Sequence, residues 1–313
     1  MTHRLLILSR HADLYRRHVE AAALPGLEIA SAANLESLPG AAADCDLVFG
    51  EPSLIAKALA RMPGVRWIQA TWAGVEPLLD PALRRDYVLT NARGVFGILM
   101  TEYVFGYMLA HERRIVEKYE SQKEGRWDTR PPGTLRGKTL GLLGVGTIGA
   151  TLAKTAKHFG MQVRGLTRSS RDCPDVDLYY HGDDRLAFAS GLDFVVCIVP
   201  NTRSTRRLID RDFLAALPPS AVVLNPGRGS VIDQEALADA LAGGRLAAAV
   251  LDVFDAEPLP PDHRLWRTPN VFVTSHTAAL SVPADIAPLF IDNYRRLVSG
   301  EPLKYRVDFD LEY

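Results

Sequence analysis

Short apolar runs recur along the chain, and between them lie stretches whose apolar residues return every three or four positions. RLLILS (Arg4 to Ser9), DLVFG (Asp46 to Gly50), RWIQAT (Arg66 to Thr71) and YVLTN (Tyr87 to Asn91) come first, with helix-compatible segments between them. Runs of this length read as buried strands, and their alternation with helical patterns predicts a small parallel α/β domain. GILMTEYVFGYMLAHERRIVEKYE, from Gly97 to about Glu120, predicts one long helix with charges gathered at its end. The polar, basic, Pro/Gly-containing SQKEGRWDTRPPGTLRGK (Ser121 to Lys138) reads as a loop.

A second series of strands follows. MQVRGLT (Met161 to Thr167), DFVVCIVP (Asp193 to Pro200), AVVLNPG (Ala221 to Gly227), AAAVLDVF (Ala247 to Phe254) and VFVTSH (Val271 to His276) predict a doubly wound parallel sheet. The alanine-rich stretch from Ala236 to Ala249 reads as a compact helix running into a strand. The last segment opens with a helical pattern and closes in an irregular tail, which is expected to return to the first domain. The expected division is 1–96 with 284–313 against 97–283.

At 313 residues the chain exceeds the usual single-domain size, in keeping with two domains. A composition 47% hydrophobic and 23% charged excludes disorder, and a net charge of −1 offers no basic field for nucleic acid. Cys45, Cys173 and Cys197 are odd in number and scattered, which suits a reducing cytoplasm; Cys197, inside DFVVCIVP, reads as a small core residue. No run of 18 apolar residues occurs, so neither membrane insertion nor export is expected.

The strongest local signal is TLGLLGVGTIGATLAKTAKHFG (Thr139 to Gly160). Its apolar run ends at Gly144; Gly146 and Gly149 follow; then helix formers begin at Thr147 and Ile148. This is strand, G-x-G-x-x-G, helix, with MQVRGLT as the next strand of a βαβ unit, the context that marks a dinucleotide site of the Rossmann kind. The first two glycines permit a tight turn and close approach of backbone to pyrophosphate, and the third lets helix and strand pack. An acid that binds the ribose 2′-hydroxyl belongs roughly 20 residues further on. Thr167, 18 residues beyond Gly149, occupies that place, followed by Arg168, Ser169 and Arg171. A planar fork, a hydroxyl and a second cation suit a 2′-phosphate, so NADP is expected in preference to NAD.

In open α/β sheets reactive groups collect beyond the carboxyl ends of the strands. There LNPGRGSVID exposes Arg228 between two glycines, LDVFDAEP places Asp252 and Glu257, and VTSHTAA carries His276. An arginine fork can grip a carboxylate or polarise a carbonyl, a histidine can pass a proton, and a glutamate can orient the imidazole.

GVGTIG, VPNTRSTRRLI, LNPGRGSVID, LDVFDAEPLPPDHRLW and VTSHTAA together resemble the D-2-hydroxyacid dehydrogenase family, and within it the glyoxylate/hydroxypyruvate reductase branch. The likeness implies a Rossmann domain plus a smaller, flavodoxin-like α/β substrate domain, a cleft between them, and a homodimer. It matches Arg228, Glu257 and His276 to the family's catalytic arginine, glutamate and histidine. It matches TWAGVEPLL (Thr71 to Leu79) to the loop whose Ala73, Gly74 and Val75 amides hold the substrate carboxylate, with Trp72 at the substrate beside them, and adds Val199, Pro200, Thr205 and Asp252 to the cofactor site, Asp252 at the nicotinamide carboxamide. The implied reaction is hydride transfer to C2 of a small 2-keto acid, with no metal. Ser275, where the family usually has proline, and the bulky Trp72 are departures that bear on substrate preference. Redox-sensing corepressors share the fold and the three side chains, and form the alternative class.

Overall fold

The computed structural model describes residues 2–168 and 173–312 and divides into two compact units, Met1–Val95 with Ser281–Tyr313, and Phe96–Leu280.

In the first unit β1 (His3–Leu8), α1 (Ala12–Ala21), β2 (Leu27–Ala32), β3 (Leu47–Gly50), α2 (Pro52–Ala58), β4 (Trp67–Ala70) and β5 (Val88–Thr90) follow one another. The strands form a parallel sheet in the order β2-β1-β3-β4-β5, the flavodoxin-like order. Edge strand β2, LEIASA, is only partly buried and too mixed in polarity to stand out in the sequence.

The second unit begins with α3 (Gly97–Glu112) and α4 (Ile115–Lys123). The single helix expected from Gly97 to Glu120 is therefore broken. Arg114 stands in the left-handed region at φ 55°, and the Glu112 carbonyl, which a continuing helix would give to its own next turn, accepts the Gly133 N–H at 2.8 Å. A tertiary hydrogen bond from the following loop thus ends α3, where periodicity alone sees no interruption.

There follow β6 (Thr139–Leu143), α5 (Thr147–His158), β7 (Gln162–Leu166), β8 (Leu178–Tyr180), α6 (Arg185–Ala189), β9 (Phe194–Cys197), α7 (Arg211–Ala216), β10 (Val222–Asn225), α8 (Gln234–Ala242), β11 (Ala248–Leu251) and β12 (Val271–Val273). Their parallel sheet runs β12-β11-β10-β9-β6-β7-β8, the doubly wound order with one strand added, and its switch point lies between β6 and β9. Strict alternation sends Leu142, Val196, Leu224 and Val250 to the core on one face, and Leu143, Val195, Val223 and Ala249 to the core on the other. Strands covered on both faces must be apolar throughout, which is why they show in the sequence as unbroken runs.

α9 (Pro283–Ser299) belongs to the first unit. Phe290 on it stacks on Phe49 and Trp67 at centroid distances of 5.0 and 5.2 Å. Buried Asn293 ties it to the Gln69 side chain and to the Lys304 backbone.

Candidate active site

The glycine turn sits where the switch point predicts. Gly144 has φ +97°, open to glycine at little cost, and a Cβ there would lie 3.1 Å from Val199. Gly146 faces open space, with no atom within 4 Å of where a Cβ would stand. Gly149 is packed so closely that its Cβ would come 2.6 Å from the Gly144 carbonyl oxygen. The turn therefore leaves one cradle, at Gly146, beside the start of α5. There the N–H groups of Thr147, Ile148 and Gly149 have no partner among the described residues, and the first turn carries no acid. This geometry fits a pyrophosphate.

β6 and β7 pair as far as Leu143 and Leu166, which sets Thr167 beside Gly144. The Thr167 N–H donates to the Tyr180 carbonyl, and its own carbonyl meets His181 Nδ1 at 2.9 Å, so its backbone is held between β6 and β8. Arg168 follows directly; Ser169 and Arg171 lie outside the described residues. Val199 stands against Gly144, and Pro200 opens a turn whose hydroxyl is Thr205: Oγ1 donates to the Pro200 carbonyl at 2.6 Å and accepts the Thr202 N–H at 2.9 Å. Thr205 thus builds the turn after β9.

Arg228 is half-buried between Gly227 and Gly229. Both flanking glycines are dictated by close approach, since a Cβ at Gly227 would meet the Cys197 carbonyl and one at Gly229 the backbone of Phe254. Asn225 braces the loop, its Oδ1 accepting from Gly227 N–H and its Nδ2 donating to the Arg228 carbonyl. Against this loop, the Phe254 N–H donates to Glu257 Oε1 at 2.9 Å, and Glu257 Oε2 lies 2.7 Å from His276 Nδ1. A carboxylate only accepts, so Nδ1 carries the proton of that bond and Nε2 is left for a reaction partner.

Asp252, 1% exposed, is the anchor of the histidine loop. Its Oδ1 accepts from Thr274 Oγ1 at 2.5 Å and from Thr277 N–H at 2.8 Å, its Oδ2 from Ala278 N–H at 2.9 Å, and its carbonyl from His276 N–H at 2.8 Å. These bonds hold His276 at φ +56°, a conformation few non-glycine residues adopt. Sequence reasoning missed Thr274, whose role depends on a strand pairing that no local pattern displays.

In the first unit, the Trp72–Val75 loop follows β4. The Trp72 carbonyl accepts from Ala92 N–H at 3.0 Å and the Ala73 carbonyl from Asn91 Nδ2 at 2.8 Å, whereas none of the four N–H groups donates to another described residue. Carbonyls bonded inward leave these amides as donors of the kind an anion takes up. Asn91, also missed from sequence, is what braces it. Among the described residues no cluster could hold a metal ion, and no helix is long and apolar enough to cross a membrane.

A flavodoxin-like sheet, a doubly wound sheet with a pyrophosphate turn, and a histidine–carboxylate pair with an arginine loop define a dinucleotide-dependent oxidoreductase. Residues 105–278 match the family described as D-isomer specific 2-hydroxyacid dehydrogenase, NAD binding domain. The chain is 32% identical over 280 residues to glyoxylate/hydroxypyruvate reductase A of Serratia proteamaculans, covering 87% of this chain and 88% of that one. A D-isomer specific 2-hydroxyacid dehydrogenase family protein from Aeromonas salmonicida superposes with a TM-score of 0.94 at 41% identity, covering 99% of this chain and 100% of that one. A D-isomer specific 2-hydroxyacid dehydrogenase from Xanthobacter autotrophicus, solved with NADPH and MES, gives 0.90 at 31% identity with both chains fully covered, at 100% each. The chain belongs to the D-2-hydroxyacid dehydrogenase family.

Proposed function

We propose that the chain reduces a small 2-keto acid, of the glyoxylate or hydroxypyruvate kind, to the D-2-hydroxy acid, with NADPH preferred over NADH. The observation that carries this reading is the 2.7 Å bond between His276 Nδ1 and Glu257 Oε2, which leaves Nε2 able to deliver a proton. When bound, the reduced nicotinamide supplies the hydride that adds to C2. His276 gives the proton to the carbonyl oxygen as negative charge grows there, and Glu257 keeps the imidazole oriented. Arg228 grips the carboxylate and stabilises the developing charge through its fork. The Ala73, Gly74 and Val75 amides are assigned to anion binding, with Trp72 beside them. Asp252 keeps acceptor capacity at Oδ2 for the nicotinamide carboxamide, and Gly144, Gly146, Thr147, Ile148, Gly149, Val199 and Pro200 are assigned the rest of the cofactor.

The NADPH preference is supported by the absence of an acid at Thr167, by Arg168 next to it, and by the NADPH bound to the Xanthobacter relative. A cytoplasmic homodimer is part of the proposal. The exposed apolar side chains of Ile98, Ile115, Val116, Tyr119 and Trp127, close together in the chain, support the second copy, and sedimentation tests it.

A panel of 2-keto acids assayed with NADPH and with NADH, with chiral analysis of the product, tests the reaction. Turnover of glyoxylate or hydroxypyruvate with NADPH is the expected result. A protein that binds NADPH and turns over no member of the panel would overturn it.

A further inference from the structure

We infer that Tyr103, on α3, is a positioning residue of the proton-transfer step, acting on the His276 loop through Thr274 and Asp252. Tyr103 Oη lies 2.8 Å from Thr274 Oγ1, and Thr274 Oγ1 lies 2.5 Å from Asp252 Oδ1. Proton counting fixes the direction of the chain. Both Asp252 oxygens already accept backbone N–H groups, from Thr277 and Ala278, so the carboxylate takes the single hydroxyl proton of Thr274. The Thr274 oxygen then has only lone pairs to offer, and Tyr103 is the donor.

The loop is consequently clasped on both sides of its histidine. Thr274 before it and Thr277 and Ala278 after it converge on one buried carboxylate, and His276 N–H is bonded to the carbonyl of the same residue. The strained φ of +56° at His276 persists because this set of bonds over-determines it. Tyr103 supplies the outermost bond of the set and comes from a separate element, which registers the loop against α3. Burial pushes the Tyr103 phenol well above its ordinary range, so its proton stays in place at any working pH. A hydroxyl donating into a threonine–carboxylate pair also polarises it, tightening the bonds that hold the loop.

The inference rests on His276 as the proton donor, and a double-mutant cycle separates the two. Tyr103→Phe removes only the donor and leaves the Thr274–Asp252 bond intact. One neutral hydrogen bond is worth about 0.5–1.5 kcal/mol, so kcat for keto acid reduction is expected to fall roughly 2- to 13-fold. KM for the keto acid and Kd for NADPH should stay within about twofold. In a His276→Asn background, followed by single-turnover kinetics, the same substitution should have no further effect, because the group it positions is gone. Thr274→Val should resemble Tyr103→Phe in its effect on kcat, and Thr274→Ser, which keeps the hydroxyl, should restore most of the rate. Unchanged kcat in Tyr103→Phe, the same fold-loss in both backgrounds, or a serine variant as slow as the valine one would overturn the inference while leaving His276 in its role. Near-normal turnover in His276→Asn alone would instead remove the histidine, and the inference with it.

Discussion

Gly149 lies against the carbonyl oxygen of Gly144, at a distance that would put any Cβ 2.6 Å from it, while Gly146 between them faces nothing within 4 Å. The two positions therefore fail in different ways. Gly149→Ala forces α5 away from β6, an overpacking that costs about 1–3 kcal/mol. At about 2–4 °C per kcal/mol for a unit of this size, the melting temperature should drop by roughly 2–12 °C. Gly146→Ala should melt within about 2 °C of wild type and still lose at least about tenfold in NADPH affinity (about 1.4 kcal/mol), because its methyl group fills the cradle. Thermal melts and nucleotide fluorescence titrations check both, and an alanine at Gly146 that binds NADPH normally would show the cradle is not used.

That contrast also marks what could be read from the chain. The two sheets, the glycine turn and the residues after the late strands were legible because buried parallel strands are continuous apolar runs and because glycine spacing is a local code. The break at Arg114 was not, since it depends on Gly133 bonding to the Glu112 carbonyl from 21 positions along the chain. Thr274 and Tyr103 stayed hidden for the same reason: each acts through a partner that only the fold brings near. Asp252 was visible as a strand-end acid, but its hold on the His276 loop appears only when its three side-chain donors are in place.

His276→Asn is expected to lower turnover by roughly 10²- to 10⁴-fold, the usual span for a general acid, with NADPH binding unchanged. Glu257→Gln should fall between wild type and that variant. The glutamine keeps the shape, but its single carbonyl oxygen can accept from the Phe254 N–H or from Nδ1 and not from both, and it carries no charge. Steady-state kinetics beside a nucleotide titration tell the two apart, and a Glu257→Gln enzyme at full rate would break the pairing.

Thiol chemistry gives a test independent of catalysis. Burial pushes the Cys197 thiol up to about 12 and the Cys45 thiol up to about 11. Only a thiolate alkylates readily, so iodoacetamide at pH 8 should label Cys173 alone in the native protein and all three cysteines after unfolding. The linkage has a sign. The folded value of Cys197 lies above the reference value of 9.0, so its contribution to stability is complete below pH 9 and is lost as pH rises toward 12. Cys197→Ala should show a shallower alkaline decline in melting temperature than wild type, and rapid native labelling of Cys197 would contradict the buried placement.

Cofactor choice is the remaining test, and it turns on Thr167 and Arg168. The register of β6 and β7 sets Thr167 beside Gly144, in the place where an acid would accept the ribose 2′-hydroxyl and repel a 2′-phosphate. With no acid there and a guanidinium next in sequence, a 2′-phosphate is expected to meet a donor in place of a repelling charge. A charge-assisted hydrogen bond contributes roughly 1.5–3 kcal/mol, and about 1.4 kcal/mol is a factor of ten, so Arg168→Ala should weaken NADPH by on the order of 10- to 100-fold. NADH carries no phosphate at that position and should change little. Thr167→Asp should act in the opposite sense on the two nucleotides, gaining NADH through a new acceptor and losing NADPH through repulsion. Titration of both nucleotides against both variants decides the matter, and equal losses for NADPH and NADH in Arg168→Ala would reduce this turn to a solvated basic loop.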